Sequence, residues 1–368
     1  MKPGRFVNGK AIGNHSLDIP DMCGQVSVCV TPTKRRPVSK GDFILDKPFL
    51  RGYSIPNKEI AMGKSILSAP QFLSEEAAYA FAESKIWPKG PVCPHCGSKE
   101  RISKMNGKST RIGLYKCYVC RKQFTVKIGT IFEDSHVPMR LWLQAIYLLS
   151  ASKKGFSAHQ LHRTLGVTLK TAWFMGHRIR EAMREGTLAP FGSNGGTVEV
   201  DETFLWQEAN MPKRRGYGHK RKILSLLDRE SGETRSVVID SLNAAAIVPI
   251  LKENIAHEAR VMTDDAGQYK YLSEHFAEHG YVHHGNGEYV SPADPSIHTN
   301  TVEGFFSIFK RGMKGVYQHC KKHHLHRYLA EFDFRYGKRI ARGIDDTERA
   351  NKLLCGVVGK RLTYQTTH

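Results

Sequence analysis

Apolar positions along the chain change their period three times. Residues 1–61 mix Gly, Pro and basic side chains ("TPTKRRPVSKGD") without a sustained period. They read as poorly ordered or as an upstream extension, with Met62 as an alternative start. Helical spacing begins in "SEEAAYAFAESKIW", where Ser74 is placed to cap a helix and Pro88 to end it. Between 139 and 183 apolar residues again recur at helical spacing, and "LGVTLKTA" inserts a Gly turn with Thr168 as a cap. That outline predicts a helix-turn-helix, with 157–165 as its first helix and about 168–183 as its recognition helix.

After Gly195–Gly196 the period drops to two. "TVEVDETF" turns Val198 and Val200 inward and ends on Asp201 and Glu202. "KILSLLDRESGETRSVVIDSL" predicts two strands around a turn, "NAAAIVPILKENI" a helix, "ARVMTDDAGQY" a strand ending in acids, and "GYVHHGNGEYV" another short strand. In "IHTNTVEGFFSIFKRG" the period returns to 3.6. Val302, Phe305, Phe306, Phe309 and Met313 form one stripe of that helix, and Asn300, Glu303, Ser307 and Lys310 another, with Asn300 as N-cap and Glu303 closing a capping box. "RYLAEFDFRYGKR" predicts a further helix whose aromatic side covers a sheet. This order of elements defines a mixed α/β domain with strand ends converging on one edge.

Composition narrows the partners. Lys and Arg total 55 against 35 acidic residues, a formal charge of +20, which favours a polyanion, nucleic acid above an anionic membrane. No apolar run is long enough to cross a bilayer, and no secretory signal is legible, so a cytoplasmic, nucleoid-associated protein is expected. Four of the eight cysteines stand in two close pairs, "CPHC" and "CYVC", twenty residues apart. Such knuckles bring Cys93, Cys96, Cys117 and Cys120 around one structural Zn²⁺, while Cys23, Cys29, Cys320 and Cys355 read as plain thiols. The span 101–127 holds eight basic residues and no acid, which suits DNA contact. Lys170, Thr171, His177 and Arg178 are the DNA-facing candidates of the second helix. Lys213, Arg214 and Arg215 in "MPKRRGYGHKRK", and Arg311 and Lys314 in "FKRGMKGVYQHCKKHHLHR", extend a DNA track on which Tyr317 and the histidines stack or hydrogen-bond. A second zinc site at His319, Cys320 and His323 is a weaker reading than basic contact and packing.

Asp201 and Asp264 each close an apolar strand, and neighbouring strand ends of an α/β sheet can bring such groups together. Carboxylates gathered this closely repel one another unless a divalent cation lies between them. Two Mg²⁺ (or Mn²⁺) ions held so would activate an attacking oxygen and stabilise a leaving one in phosphodiester displacement. Glu303 would complete the set, Lys310 would hold a phosphate, and Asn300 would add a neutral oxygen or a hydrogen bond. Glu202 and Asp265 remain alternatives to their neighbours.

The segments "CPHCG", "CYVC", "QFTVKIGTIF", "VEVDETF", "TDDAGQY" and "HTNTVEGFFSIFKRGMKGVYQHCKKHHLHRYLAEFDFRY" resemble bacterial insertion-sequence transposases of the DDE type. The closest group carries an N-terminal zinc ribbon and is related to the Merlin elements. The resemblance runs from about 70 to 340. It implies a ribonuclease-H-like mixed-sheet catalytic domain, with Asp201 and Asp264 as the two family aspartates. The third position falls on Glu303, with Asn300 as rival, and Lys310 follows. It also implies a polynucleotidyl transferase that binds the ends of a mobile element as double-stranded DNA, cuts there and joins the freed end to target DNA. A homodimer or larger assembly bridging two ends is expected. The competing readings are a zinc-ribbon and helix-turn-helix regulator with an inactive catalytic fold, and a nuclease that cuts without joining. The expected organisation is multidomain α/β: 1–61 extension, 62–90 helix, 91–130 zinc ribbon, 131–190 helix-turn-helix, 195–345 catalytic domain, 346–368 C-terminal tail.

Overall fold

The structure, a computed structural model, describes residues 65–184, 189–209 and 211–363. The expected extension at 1–61 and the alternative start at Met62 lie outside the described residues. Short helix α1 (Pro70–Leu73) leads into α2 (Glu75–Ile86), whose Ser74 cap accepts a hydrogen bond from the Ala77 amide as the sequence predicts. A three-stranded antiparallel ribbon follows, β1 (Ile102–Lys104), β2 (Tyr115–Cys117) and β3 (Gln123–Phe124). Its interior is only Cys93, Tyr115, Cys117 and Phe124. A core this small does not hold a module by itself, which is the physical reason for four convergent thiols.

Helices α3 (Met139–Ala151), α4 (Ala158–Leu165) and α5 (Leu169–Met183) come next. Ser157 and Gln160 form a capping box at the start of α4, Gly166 ends it at φ +67°, and Thr168 caps α5. The two helices therefore stand where the sequence puts the helix-turn-helix. α9 (Asp346–Cys355) packs back on α3, burying Leu353 and Leu354 in the same core as Trp142 and Ile146. The stretch expected as a tail is thus partly a core element, because the buried faces of α2 and α3 need cover that the N-terminal half does not supply.

The second core region is a five-stranded mixed sheet in the order β6-β5-β4-β7-β8. Its strands are β4 (Thr197–Gln207), β5 (Lys220–Asp228), β6 (Thr234–Ile239), β7 (Arg260–Asp264) and β8 (Glu278–Val282). β4, β5 and β6 pair antiparallel, whereas β4–β7 and β7–β8 are parallel. α6 (Ala244–Asn254) covers one face with Val198, Val200, Leu224 and Leu226. α7 (Asn300–Gly312) and α8 (Lys322–Gly337) cover the other, burying Phe305, Phe309 and Phe332 against Leu205 and Ile223. The apolar stripe predicted for α7 faces that sheet. Its cap differs: Thr299 is the N-cap, and Asn300 is the exposed first helical residue. Glu303 closes no capping box, since the Thr299 hydroxyl instead reaches its carboxylate at 3.5 Å.

Candidate active site and zinc centre

β4 does not stop at Asp201, as the alternation predicts, but runs on to Gln207 because β5 keeps pairing with it. What ends at that point is the other neighbour. The parallel pairing of β4 with β7 matches Thr197 to Arg260, Val198 to Val261 and Glu199 to Met262, and then stops. Extending the same register by two residues sets Asp201 beside Asp264, where the two strands part. Glu202 joins them: one carboxylate oxygen from each of Asp201, Glu202 and Asp264 lies within 4.8 Å of the others.

Each acid is held differently. Asp201 accepts from the Glu202 amide at 2.7 Å, and Asp264 from the Ala266 amide at 3.1 Å. Glu202 accepts from Gln268 at 3.0 Å and from the Tyr269 hydroxyl at 2.5 Å. Burial, then the carboxylates of Glu202 and Asp264, push the Asp201 carboxyl up to about 8. Burial likewise raises Glu202 and Asp264 above the usual carboxylate range. Asp265 turns away to the His283 ring at 3.0 Å, and that hydrogen bond lowers its pKa. The choice of Asp264 over Asp265 has this physical basis.

Glu303 stands outside the tight group yet close enough for its charge to raise the Asp201 pKa. Its carboxylate meets His284 Nε2 at 3.3 Å. Lys310 also faces the cluster: burial lowers its pKa and the Asp201 charge opposes that. Glu199, two residues before Asp201, is fully buried. It accepts from Arg229 at 2.7 Å and from the Val302 amide at 2.8 Å, so it anchors the first turn of α7 to the sheet. Sequence reasoning missed Glu199 and His284. An acid two positions before Asp201 in a strand that turns Val198 and Val200 the other way was the available signal for Glu199. No local signal marked His284.

All donors in the acidic group are carboxylate oxygens, the set that hard divalent cations such as Mg²⁺ prefer. Burial and then the neighbouring carboxylates raise the Asp201 pKa, and a bound cation would offset both, which fits the same role. In the ribbon, Cys93 Sγ lies 3.6 Å from Cys120 Sγ and Cys96 Sγ 3.8 Å from Cys117 Sγ. A tetrahedron with Zn–S bonds of about 2.3 Å requires sulfur separations of about 3.8 Å. The four thiols fit zinc. Among the described residues these two groups are the ones close enough to hold a metal ion, and His319, Cys320 and His323 do not form another.

Several expected DNA contacts are placed otherwise. His177 and Arg178 are 1% and 5% exposed. Arg178 donates to the carbonyls of Ile131 and Glu133, tying α5 to the segment after the ribbon, so neither residue lies on an open helix surface. The α5 face bearing them is the packed face of the helix, which alternation of charge alone does not reveal. Tyr317 also points inward, its hydroxyl donating to Glu331. Lys170, Lys213, Arg214, Arg215, Arg311 and Lys314 are exposed, and Thr171 is half-buried.

A four-cysteine ribbon joined to a mixed sheet that gathers acids where two parallel strands part defines a DDE-type transposase. Comparison with known proteins agrees. Residues 73–123 match the transposase zinc-ribbon domain and residues 194–337 the ISXO2-like transposase domain, both of the IS1595 family. An uncharacterized protein in transposable element ISH50 of Halobacterium salinarum is 29% identical over 280 residues, covering 72% of this chain and 91% of that protein. A cryo-EM structure of the simian T-cell lymphotropic virus intasome in complex with PP2A regulatory subunit B56 gamma aligns at TM-score 0.25 and 12% identity. That alignment covers 47% of this chain and 63% of the other, less than two thirds of its length. The chain thus carries a zinc-ribbon domain and a DDE transposase domain of the IS1595 type.

Proposed function

We propose that this transposase binds the double-stranded ends of its element and cuts and joins DNA at the acidic cluster in a divalent-metal-dependent reaction. The convergence of Asp201, Glu202 and Asp264 at the parting of β4 and β7 is the observation that carries this reading. Asp201 and Asp264 are the core ligands, and Glu303 approaches from α7 as the third. Glu202 is the alternative third ligand, favoured by its closeness, although Gln268 and Tyr269 already engage it. Asn300, at the exposed start of α7, is the weaker rival. Bound Mg²⁺ or Mn²⁺ would stabilise charge on the attacking and leaving oxygens of a displacement at phosphorus. Lys310 would orient a phosphate oxygen of the strand beside the cluster.

DNA contact extends outward from there. Lys213, Arg214 and Arg215 on the loop before β5, Arg311 in the last turn of α7 and Lys314 just past it supply exposed positive charge. Lys170 and Thr171 at the start of α5 take the recognition-helix position. Two element ends must be held at once, which calls for a dimer or larger assembly.

The test is cleavage and strand transfer on duplexes carrying the ends of the DNA that flanks the gene, with Mg²⁺ or Mn²⁺. Asp201→Ala and Asp264→Ala should bind these ends yet lose at least about a hundredfold in cutting, as expected when metal-borne stabilisation is removed. Separate Glu303→Ala, Glu202→Ala and Asn300→Ala variants assign the third ligand by which of them fails alike. Tight binding by the wild type without cutting in either metal would mark a regulator, and cutting without joined product a nuclease.

A further inference from the structure

A cavity of about 690 Å³ lies apart from the acidic cluster and shares none of its residues. Its wall is aromatic: Trp173 and His177 come from α5, Trp206 from β4, His324 and Tyr328 from α8. Trp173 and His177 have ring centroids 4.1 Å apart, and His177 and His324 4.7 Å. Arg221 extends over the Trp206 ring, 5.7 Å from its centroid, and completes the lining on that side.

Two observations separate this cavity from an ordinary gap in packing. His177 is 1% exposed, yet neither of its ring nitrogens has a hydrogen-bond partner in the protein. Burying a polar ring in that state is a cost that apolar contact alone does not offset. The second is backbone strain. Of the non-glycine residues with positive φ among those described, Trp206 (+43°) and Gln318 (+57°) both line this cavity. At Trp206 the β4–β5 register slips between Leu205 and Gln207. Regular alternation would send Trp206 to the face opposite Leu205, but the slip packs both side chains into the core beneath α7 and α8. Strain of this kind persists where the surroundings enforce it and gathers at ligand clamps.

The His323–His324 pair beside the cavity does not indicate a metal. Arg327 can only donate to His324 Nδ1, at 2.9 Å, so His324 carries its proton on Nε2 and donates it to His323 Nε2 at 3.1 Å.

We propose that this cavity receives an unstacked nucleobase from the DNA strand bound at the acidic cluster. A base is a flat ring with a polar edge, which matches stacking surfaces backed by a buried imidazole that lacks partners. Burial and nearby cations hold His177 down to about 2, so its ring is neutral and offers one donor and one acceptor. Arg221 and Lys321 answer the charge of the attached phosphate. Trp206 lies five residues beyond Asp201 on β4, about 16 Å at roughly 3.3 Å per residue. That span equals about five nucleotide steps of a stacked strand. The inference rests on the DNA-acting function proposed above but not on which acid is the third ligand.

The test measures affinity of the full chain, without divalent metal, for a fluorescein-labelled mixed-sequence single strand and for the same sequence as duplex. Trp206→Gly removes the ring and suits the positive φ but gives up packing against the α7–α8 core, so affinities are compared at a temperature where its melting curve shows it folded. It should weaken single-strand binding about tenfold and duplex binding less than about twofold, while Trp206→Phe, which keeps a ring, stays near the wild type. Equal losses on both probes, or no loss on the single strand, overturn the cavity's role. If that result comes with a wild type that still cuts element ends, only this inference falls. A wild type that binds neither probe removes both it and the function proposed above.

Discussion

Asp201 shows how one side chain reports the state of its whole site. Its carboxyl is pushed up to about 8 by burial and by Glu202 and Asp264, far above its value in an unfolded chain. A folded-state pKa raised in this way contributes stability that is complete below about pH 4 and is lost as pH climbs towards 8. In EDTA, the melting temperature of the wild type should therefore fall by several degrees from pH 5 to pH 8 relative to Asp201→Asn. Added Mg²⁺ should reverse that fall at pH 8, since an ion that binds only the folded state stabilises it by mass action. Parallel melting curves for the two proteins across this range would show that the fold does not raise the Asp201 pKa.

Among the elements, α7 and the zinc ribbon depend on few residues. α7 carries Glu303 and Lys310, and the Glu199 carboxylate binds the Val302 amide in its first turn, where a negative charge also favours the helix dipole. Glu199→Gln removes the charged partner of Arg229, which keeps only the Ser296 and His298 contacts, and should cost about 3 kcal/mol, the lower end of what breaking a buried pair costs. Denaturant unfolding measures that loss. Cleavage should fall further than stability accounts for, because α7 loses its anchor beside the cluster. The ribbon has four thiols in place of a core, so Cys117→Ser should remove one zinc per chain by elemental analysis and loosen residues 93–124 in hydrogen exchange. The helical core containing Trp142 should stay protected, because most of its packing partners come from α2, α3, α5 and α9.

Across the described molecule, the helical region and the sheet region are joined by a buried ionic knot. Arg180 of α5 donates to Glu331 of α8 at 2.6 Å, with side chains 5% and 0% exposed. Arg335 meets the same carboxylate at 3.1 Å, and the Tyr317 hydroxyl donates to it. Glu331→Gln would strand two buried guanidinium groups, so a loss of about 3–5 kcal/mol is expected in equilibrium unfolding. A double-mutant cycle with Arg180→Met should recover much of that loss, because an uncompensated charge is the source of the cost. Additive losses would show that the two residues act independently.

Local chemistry was legible without the fold. The Cys-x-x-Cys pairs, the Ser74 and Thr168 caps, the Gly166 turn and the α7 stripe depend on neighbours a few residues away, and sequence order sets those distances. Asp201 and Asp264 were legible as candidates because each follows an apolar strand. Their meeting depends on the register of β4 with β7, which non-local pairing alone sets. The same holds for Glu202 joining the cluster, for His177 and Arg178 turning inward, and for α9 completing the first core. Sequence by itself determined which side chains could do chemistry here. The tertiary structure decided which of them stand together, because packing across distant segments, unlike helix or strand periodicity, has no local spacing to reveal it.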